Sequence, residues 1–281
     1  MPVTLLGAAE IRRLAADLDV TPTKKLGQNF VVDANTVRRI VQVAGVDASE
    51  RVVEIGPGLG SLTLAVLETG ASVTAVEIDH RLAARLPATA AAHGVAEGAL
   101  VVIDADALRV TDLPGDPRVL VANLPYNVSV PVLLHFLETF PDLERGVVMV
   151  QAEVGERLAA APGSKIYGAP SVKAAWYGSW RLAGTVSRQV FWPVPNVDSV
   201  LVAFARGGEA RGSEEERRRT FGIVDAAFQQ RRKMLRQALA AVLGGSAAEA
   251  SEILQRAGVA PTARGEELDV EDYLRIARAS V

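Results

Sequence analysis

Asn123, Leu124, Pro125 and Tyr126 follow the short apolar run Val119-Leu120-Val121. An amide, a proline-stiffened turn and an aromatic ring are poor material for continuing a strand. At the carboxyl edge of an α/β sheet the same residues would make a flat clamp beside a ligand crevice. Asn123 would offer an amide oxygen, the Leu124 carbonyl would point outward because Pro125 fixes the turn, and Tyr126 would present a ring on which a base could stack. The plainer alternative is an Asn-Pro turn with a packing tyrosine.

A second group of residues could hold a nucleoside. Glu54-Ile55-Gly56-Pro57-Gly58-Leu59-Gly60 runs from an apolar stretch into a glycine-rich turn and then into an amphipathic segment, and glycines there let a ligand approach the backbone closely. The turn lacks the Lys-Ser/Thr end of a phosphate-binding loop and departs from the six-residue dinucleotide spacing, so phosphate is not the expected ligand. Glu77 ends the next apolar run about twenty residues on, where a carboxylate can bridge two ribose hydroxyls. Asp79 beside it could equally cap a helix. After the third run, Asp104 or Asp106 could accept from an adenine amino group, and spacing alone does not choose between them.

Other chemistries are excluded by what the chain lacks. It has no Cys, so no disulfide, thiolate nucleophile or cysteine zinc site, which fits a reducing compartment. His80, His93 and His135 have no metal-ligand spacing, and no metal is expected. A net charge of -3 gives no global positive field, so any contact with nucleic acid must be local. Glu10, Arg12 and Arg13 interrupt the first segment before a signal-peptide core develops, and no stretch is apolar for long enough to span a bilayer. The expectation is a soluble cytoplasmic protein with no membrane partner, acting as a monomer.

These residues need a scaffold. Apolar runs at residues 52–55, 72–76, 100–103, 119–121 and 147–150 alternate with helix-length segments, the pattern of a mostly parallel sheet covered on both faces. Two further runs, around 180–186 and 199–205, have no helix between them and are expected as an antiparallel pair at the sheet edge, giving about seven strands. Helical patterns over 8–18 and 34–43 precede the sheet, with Asp33 placed to cap the second. A Gly-rich, charged stretch at 207–213 then reads as a linker, and everything beyond it as helical. The expected domains are therefore 1–206, a catalytic domain, and 213–281, a small all-helical domain.

Glycine turn, strand-end Glu77 and Asn-Leu-Pro-Tyr, in that order, resemble the ribosomal RNA adenine-N6 methyltransferases that use S-adenosylmethionine. Gly27-Gln28-Asn29-Phe30 is similar to that family's N-terminal cofactor motif, and Phe191-Trp192-Pro193-Val194-Pro195-Asn196-Val197-Asp198-Ser199 to its late aromatic motif. Three segments favour the branch acting on small-subunit RNA: Pro162-Gly163-Ser164-Lys165-Ile166-Tyr167-Gly168, Phe228-Gln229-Gln230-Arg231-Arg232-Lys233 and Arg264-Gly265-Glu266-Glu267-Leu268. The likeness implies a Rossmann-like class I methyltransferase fold and cofactor contacts from Asn29, Val31, Gly56, Gly58, Glu77, Asp106 and Asn123. Asp106 is preferred there because the family's acid directly precedes an alanine and a large apolar residue. Val31 stands where leucine is more usual, and Trp192 and Ala169-Pro170 are further departures.

Residues 123–126 and Phe191 are then implied as the catalytic set. Asn123 Oδ1 and the Leu124 carbonyl would accept the two protons of an adenine amine, while Tyr126 and Phe191 hold the base between aromatic faces. Trp176, Tyr177 and Trp180, at mixed spacing, are expected as core and interface residues rather than base contacts. The implied activity is N6,N6-dimethylation of two adjacent adenosines near the 3' end of 16S RNA in the small ribosomal subunit. Arg231, Arg232 and Lys233 are its implied RNA contacts, with Lys24, Lys25, Arg38 and Arg39 as a possible extension and Arg217, Arg218 and Arg219 either that or a solvated face. The rival readings are a resistance-type methyltransferase of 23S RNA and a ribosome-assembly factor that acts by binding.

Overall fold

The computed structural model describes residues 2–20, 29–208 and 210–281, so Gly27, Gln28, Lys24 and Lys25 lie outside the described residues. The strands are β1 (Phe30–Val31), β2 (Arg51–Ile55), β3 (Ser72–Glu77), β4 (Leu100–Asp104), β5 (Val119–Asn123), β6 (Arg145–Gln151), β7 (Gly178–Val186), β8 (Phe191–Trp192) and β9 (Ser199–Arg206). Between and after them run α1 (Ala8–Asp17), α2 (Ala34–Ala44), α3 (Ser61–Leu67), α4 (His80–Ala92), α5 (Ser129–Thr139), α6 (Ala152–Leu158), α7 (Ala169–Tyr177), α8 (Glu214–Gln229), α9 (Leu235–Ala238), α10 (Ala247–Arg256) and α11 (Val270–Ala279).

The main sheet has seven strands in the order β4-β3-β2-β5-β6-β9-β7. β2 pairs in parallel with β3 and β5, β3 with β4, and β5 with β6, while β9 runs antiparallel to β6. The fold is α/β with a mostly parallel sheet. Its central strands carry nearly unbroken apolar runs because both faces are covered: Val52, Val53, Val119, Leu120, Val121 and Ala122 are all at most 2% exposed. From β2 the chain winds outward through β3 to β4, then returns to lay β5 against the other side of β2. That reversal opens a crevice at the carboxyl ends of β2 and β5.

A separate two-stranded ladder, which the sequence pattern did not reveal, pairs Phe30 with Trp192 and Val31 with Phe191. Two residues per strand are too few to produce a legible alternation. α2 begins as expected at Asp33, whose Oδ2 accepts from Thr36 N at 2.7 Å.

By packing the chain forms two units, Met1–Gly155 with Arg181–Arg206, and Glu156–Trp180 with Gly207–Val281. The expected boundary after residue 206 therefore needs a correction, because the segment from Glu156 to Trp180 groups with the helical unit. Its aromatic residues explain this. Tyr167 lies edge-on to Phe228 and donates its hydroxyl to Leu268 O at 2.9 Å, while Trp176 and Tyr177 pack edge-on against Phe221 of α8. Within this unit α8 starts at a capping box made by Ser213 and Glu216, and α11 at one made by Asp269 and Asp272.

Candidate active site

The crevice holds a cavity of about 250 Å³ lined by Asn29, the glycine turn, the ends of β2, β3 and β5, and residues 105–108. Gly58 has φ +60, and a Cβ there would come within 3.0 Å of the Phe30 ring. Gly60 has φ +100, and a Cβ would meet Leu86 Cδ1 at 2.7 Å. The turn is thus a left-handed path with no room for side chains, which brings backbone N–H groups to the cavity wall.

Glu77 is held by that turn. Gly58 N donates to its Oε2 at 2.9 Å and Asp79 N to its Oε1 at 3.0 Å. Burial pushes its carboxyl above the usual range, partly offset by these two backbone donors. Each oxygen keeps lone-pair capacity for a further donor, which suits a pair of ribose hydroxyls. Asp79 next door is the cap of α4, accepting from Arg81 N at 3.1 Å and pairing with the Arg81 guanidinium.

The structure separates Asp104, the last residue of β4, from Asp106 just beyond it. Asp106 lines the cavity and accepts from Leu108 N at 2.9 Å, whereas Asp104 is absent from the lining and is bonded to the His80 ring. Asn123, at the end of β5, donates its Nδ2 to the Asn29 carbonyl at 3.1 Å. The bond orients the amide and leaves Oδ1 as the acceptor, with no hydrogen bond to it among the described residues. Leu124 N donates to Met149 O at 3.1 Å, anchoring the turn, and Val128 N closes it on Pro125 O at 3.3 Å. Leu124 and Pro125 line the cavity. Tyr126 does not line it; its half-buried hydroxyl is 3.0 Å from Ser199 Oγ, and burial holds its pKa above the usual value.

Phe191 departs from expectation. Its ring is 2% exposed and belongs to the core cluster containing Val31, Ile40 and Leu201, so it offers no stacking face here. Neighbours in a strand point to opposite sides, and it is Trp192 that is partly exposed, stacked on Phe30 with ring centroids 6.4 Å apart. Val31, also buried, contributes its carbonyl, which accepts from Ser61 Oγ at 2.7 Å.

Among the lining residues that the sequence reading did not single out, three bear on the chemistry. Ile78 and Leu108, 57% and 39% exposed, give the cavity apolar walls beside Glu77 and Asp106. Their signal was a large apolar residue just past a strand-end acid. Glu54 is 1% exposed and its Oε2 has no hydrogen-bond partner among the described residues. An acid inside the buried run Val52-Val53-Glu54-Ile55 was the signal there. The lining includes Glu54, Glu77 and Asp106 and, among the described residues, no Lys, Arg or His. Such a set disfavours a phosphate and fits a nucleoside carrying positive charge. No group of three or more His, Asp or Glu that could hold a metal occurs among the described residues, and no helix there is long and apolar enough to cross a membrane.

In the helical unit the three segments singled out by resemblance meet. Arg231 Nε donates to Glu266 Oε2 at 2.6 Å and Nη2 to the Lys165 carbonyl at 2.7 Å, while Gly163 N donates to Glu266 O at 2.7 Å. Arg231 is therefore a strut between segments, and Arg232 and Lys233 are exposed beside it. Several other candidate cations are engaged within the protein. Arg38 binds Glu68 through two hydrogen bonds, Arg39 binds Thr185 O, and Arg217 and Arg218 share Glu214 while Arg219 holds Glu215.

Residues 21–280 match the family model described as ribosomal RNA adenine dimethylase. The chain is 68% identical, over 97% of its length and 98% of the relative's, to a protein of Leifsonia xyli subsp. xyli named ribosomal RNA small subunit methyltransferase A. It is 58% identical, over 100% and 98%, to the Streptomyces coelicolor protein of the same name. Among solved structures, a dimethyladenosine transferase from Plasmodium falciparum superposes with a TM-score of 0.75 at 23% identity, covering 87% of this chain and 94% of that one, a likeness of fold. The 23S rRNA methyltransferase ErmE gives 0.66 at 26% identity, covering 89% and 99%. With a family model spanning nearly the whole chain and relatives well over half identical across their full lengths, the chain belongs to the ribosomal RNA adenine dimethylase family.

Proposed function

We propose that the protein transfers methyl groups from S-adenosylmethionine to the exocyclic amine of adenosines in small-subunit ribosomal RNA, giving N6,N6-dimethyladenosine at two adjacent positions near the 3' end. The observation that carries this reading is the Asn123 amide, tied through Nδ2 to the Asn29 carbonyl so that its acceptor oxygen stands in the turn with the Leu124 carbonyl at the end of β5. The names of the relatives, both small-subunit RNA methyltransferases, support the choice of RNA.

S-adenosylmethionine, when bound, supplies an electrophilic methyl group on a sulfonium. Glu77 would hold its ribose, Asp106 its adenine amine, and Ile78 with Leu108 the faces of the ring. Adenine N6 is a poor nucleophile because its lone pair is delocalised into the ring. Asn123 Oδ1 and the Leu124 carbonyl, each accepting one amine proton, draw the nitrogen towards tetrahedral geometry and free the lone pair for in-line displacement. No strong base is needed, and alignment of this kind contributes roughly 7 to 11 kcal/mol. The surplus proton on nitrogen leaves to solvent. After the first methylation one amine proton remains, so the second transfer proceeds with one acceptor unused. Tyr126 is the aromatic face for the target base, which leaves its stack most easily in a loop. Arg232 and Lys233 contact RNA phosphates. The reading has the protein acting as a monomer in the cytoplasm.

The likeness to ErmE keeps large-subunit RNA as the second reading. Incubation with labelled S-adenosylmethionine and each ribosomal subunit from a host lacking the modification separates the two. Label recovered as dimethyladenosine in small-subunit RNA is expected. Label confined to the large subunit would overturn the assignment, and label on neither would leave a binding role in subunit assembly.

A further inference from the structure

Glu54 is a carboxyl group that the methyl-transfer chemistry does not use. It lies in β2 between Ala75 of β3 and Val121 of β5, is 1% exposed, and lines the cavity. Among the described residues its Oε2 has no hydrogen-bond partner, nor has Thr63 Oγ1 on α3, a fully buried hydroxyl close enough to favour the charged carboxylate without reaching hydrogen-bond geometry. An unpaired charge in such a place is costly and the neutral acid is the cheaper state.

Glu77, the charged neighbour that acts on it, pushes the same way as burial, and no cation shares the lining among the described residues. β3 contributes Glu77, and the segment after β4 contributes Asp106. β5 and α3 bring no titratable side chain to the lining, and Asp79, a buried acid outside it, is neutralised by Arg81. Glu77 differs from Glu54 in one respect that matters. Both Glu77 oxygens already accept backbone N–H bonds, which support its charge, whereas Glu54 Oε2 accepts none. Among the described residues, Glu54 is thus the buried acid of this lining with an oxygen that lacks a donor.

We propose that Glu54 is a proton-exchanging acid of the cofactor cleft, neutral while no cation is present and ionised, with its proton released to solvent, when a cationic ligand enters. The proposal rests on the cofactor assignment above. The balance is simple: a carboxylic acid plus a ligand cation gives a carboxylate facing that cation plus one aqueous proton. The positive charge has two sources in S-adenosylmethionine, the sulfonium and the amino-acid ammonium, and the methyl-depleted product keeps only the ammonium. If the sulfonium is the partner, Glu54 also helps the cleft exchange spent cofactor for fresh.

Burial, opposed by the Thr63 hydroxyl and reinforced by Glu77, pushes the Glu54 carboxyl up to about 8. Calorimetric titration of the whole protein with S-adenosylmethionine at pH 7, in buffers of different ionisation heat, should therefore register release of about one proton per ligand. Affinity should rise with pH, by up to about tenfold per unit, and level off once the acid is ionised without ligand. Glu54→Gln keeps size and polarity but cannot ionise, so it should bind without proton release and lose the pH dependence. Repeating the titration with S-adenosylhomocysteine locates the charge: release with both ligands assigns the ammonium, and release with the sulfonium ligand alone assigns the sulfonium. Binding with no proton release, or release unchanged in Glu54→Gln, would overturn the proposal. Failure of the ligand to bind at all would instead remove the cofactor assignment and this inference with it. Infrared spectra of the free protein supply a ligand-independent check, since a protonated-carboxyl C=O band at pH 7 should vanish in Glu54→Gln, and its absence from the native protein would refute the neutral acid.

Discussion

The carboxyl groups of the cleft and those of the helical unit live in opposite environments. Glu54 and Glu77 are buried with no cation in the cavity lining among the described residues, and burial drives both upward in pKa. Glu214 on α8 is half exposed, is clasped by Arg217 and Arg218, and is pulled down to about 2 by their hydrogen bonds and charge. Surface pairs of the second kind contribute little and order a helix end. Buried acids of the first kind work against folding, and their presence in a fold is explained by a ligand that gains from them. The same contrast sorts the arginines. Those with carboxylate partners belong to the architecture, and Arg232 and Lys233, proposed above to contact RNA phosphates, are exposed.

The largest effect should come from Phe191→Ala. A buried ring removed from the core costs roughly 3 to 5 kcal/mol of stability. Chemical denaturation checks this, and an unchanged midpoint together with a collapse in turnover would restore the stacking role that the sequence suggested. Asn123→Ala should reduce turnover at saturating substrate by on the order of a hundredfold, since lost alignment acts on the transition state. Single-turnover kinetics beside an RNA-binding assay should show near-native RNA affinity. Glu77→Ala should weaken S-adenosylmethionine by tenfold or more, because hydrogen bonds to a charged group are worth roughly 1.5 to 3 kcal/mol; calorimetry reads it directly, and undiminished affinity would make Glu77 a brace for the glycine turn only.

Smaller effects divide the basic segment of the helical unit. Arg231→Ala should lower thermal stability by removing the Glu266 and Lys165 bonds, with the salt dependence of RNA binding unchanged. A joint Arg232→Ala and Lys233→Ala change should do the reverse, flattening the dependence of log affinity on log salt by up to about 0.9 per lost duplex phosphate contact. An altered slope for Arg231→Ala alone would break the division. The pH signatures should also oppose each other. Glu54 has a folded pKa raised to about 8, so its contribution to stability is full below the ordinary carboxylate range and is lost as pH rises through about 8. Glu214, lowered to about 2, contributes above that ordinary range and loses its contribution as pH falls through about 2. Unfolding curves across pH for Glu54→Gln and Glu214→Gln, each against the native protein, should separate the two limbs.

Local order along the chain was enough to settle the seven-stranded sheet, the cap at Asp33, the glycine turn and the strand-end position of Glu77. Each depends on residues adjacent in sequence: a run of Val and Ile buried on both faces, a side chain bonding a backbone three residues on, a turn that only Gly can follow. Grouping Glu156–Trp180 with the helical unit could not be read that way, because it depends on Tyr167, Trp176 and Tyr177 meeting Phe228 and Phe221 some fifty residues later. Nor could Phe191, whose inward face is set by its two-residue pairing with β1, a strand 160 residues earlier by register with Val31. The cleft shows the same limit at its finest. Spacing offered Asp104 and Asp106 as equals, and folding gave one to His80 and the other to the cavity. A sequence states which groups are available, but whether a carboxyl meets a cation, a backbone N–H or nothing is decided by segments that only tertiary packing brings together.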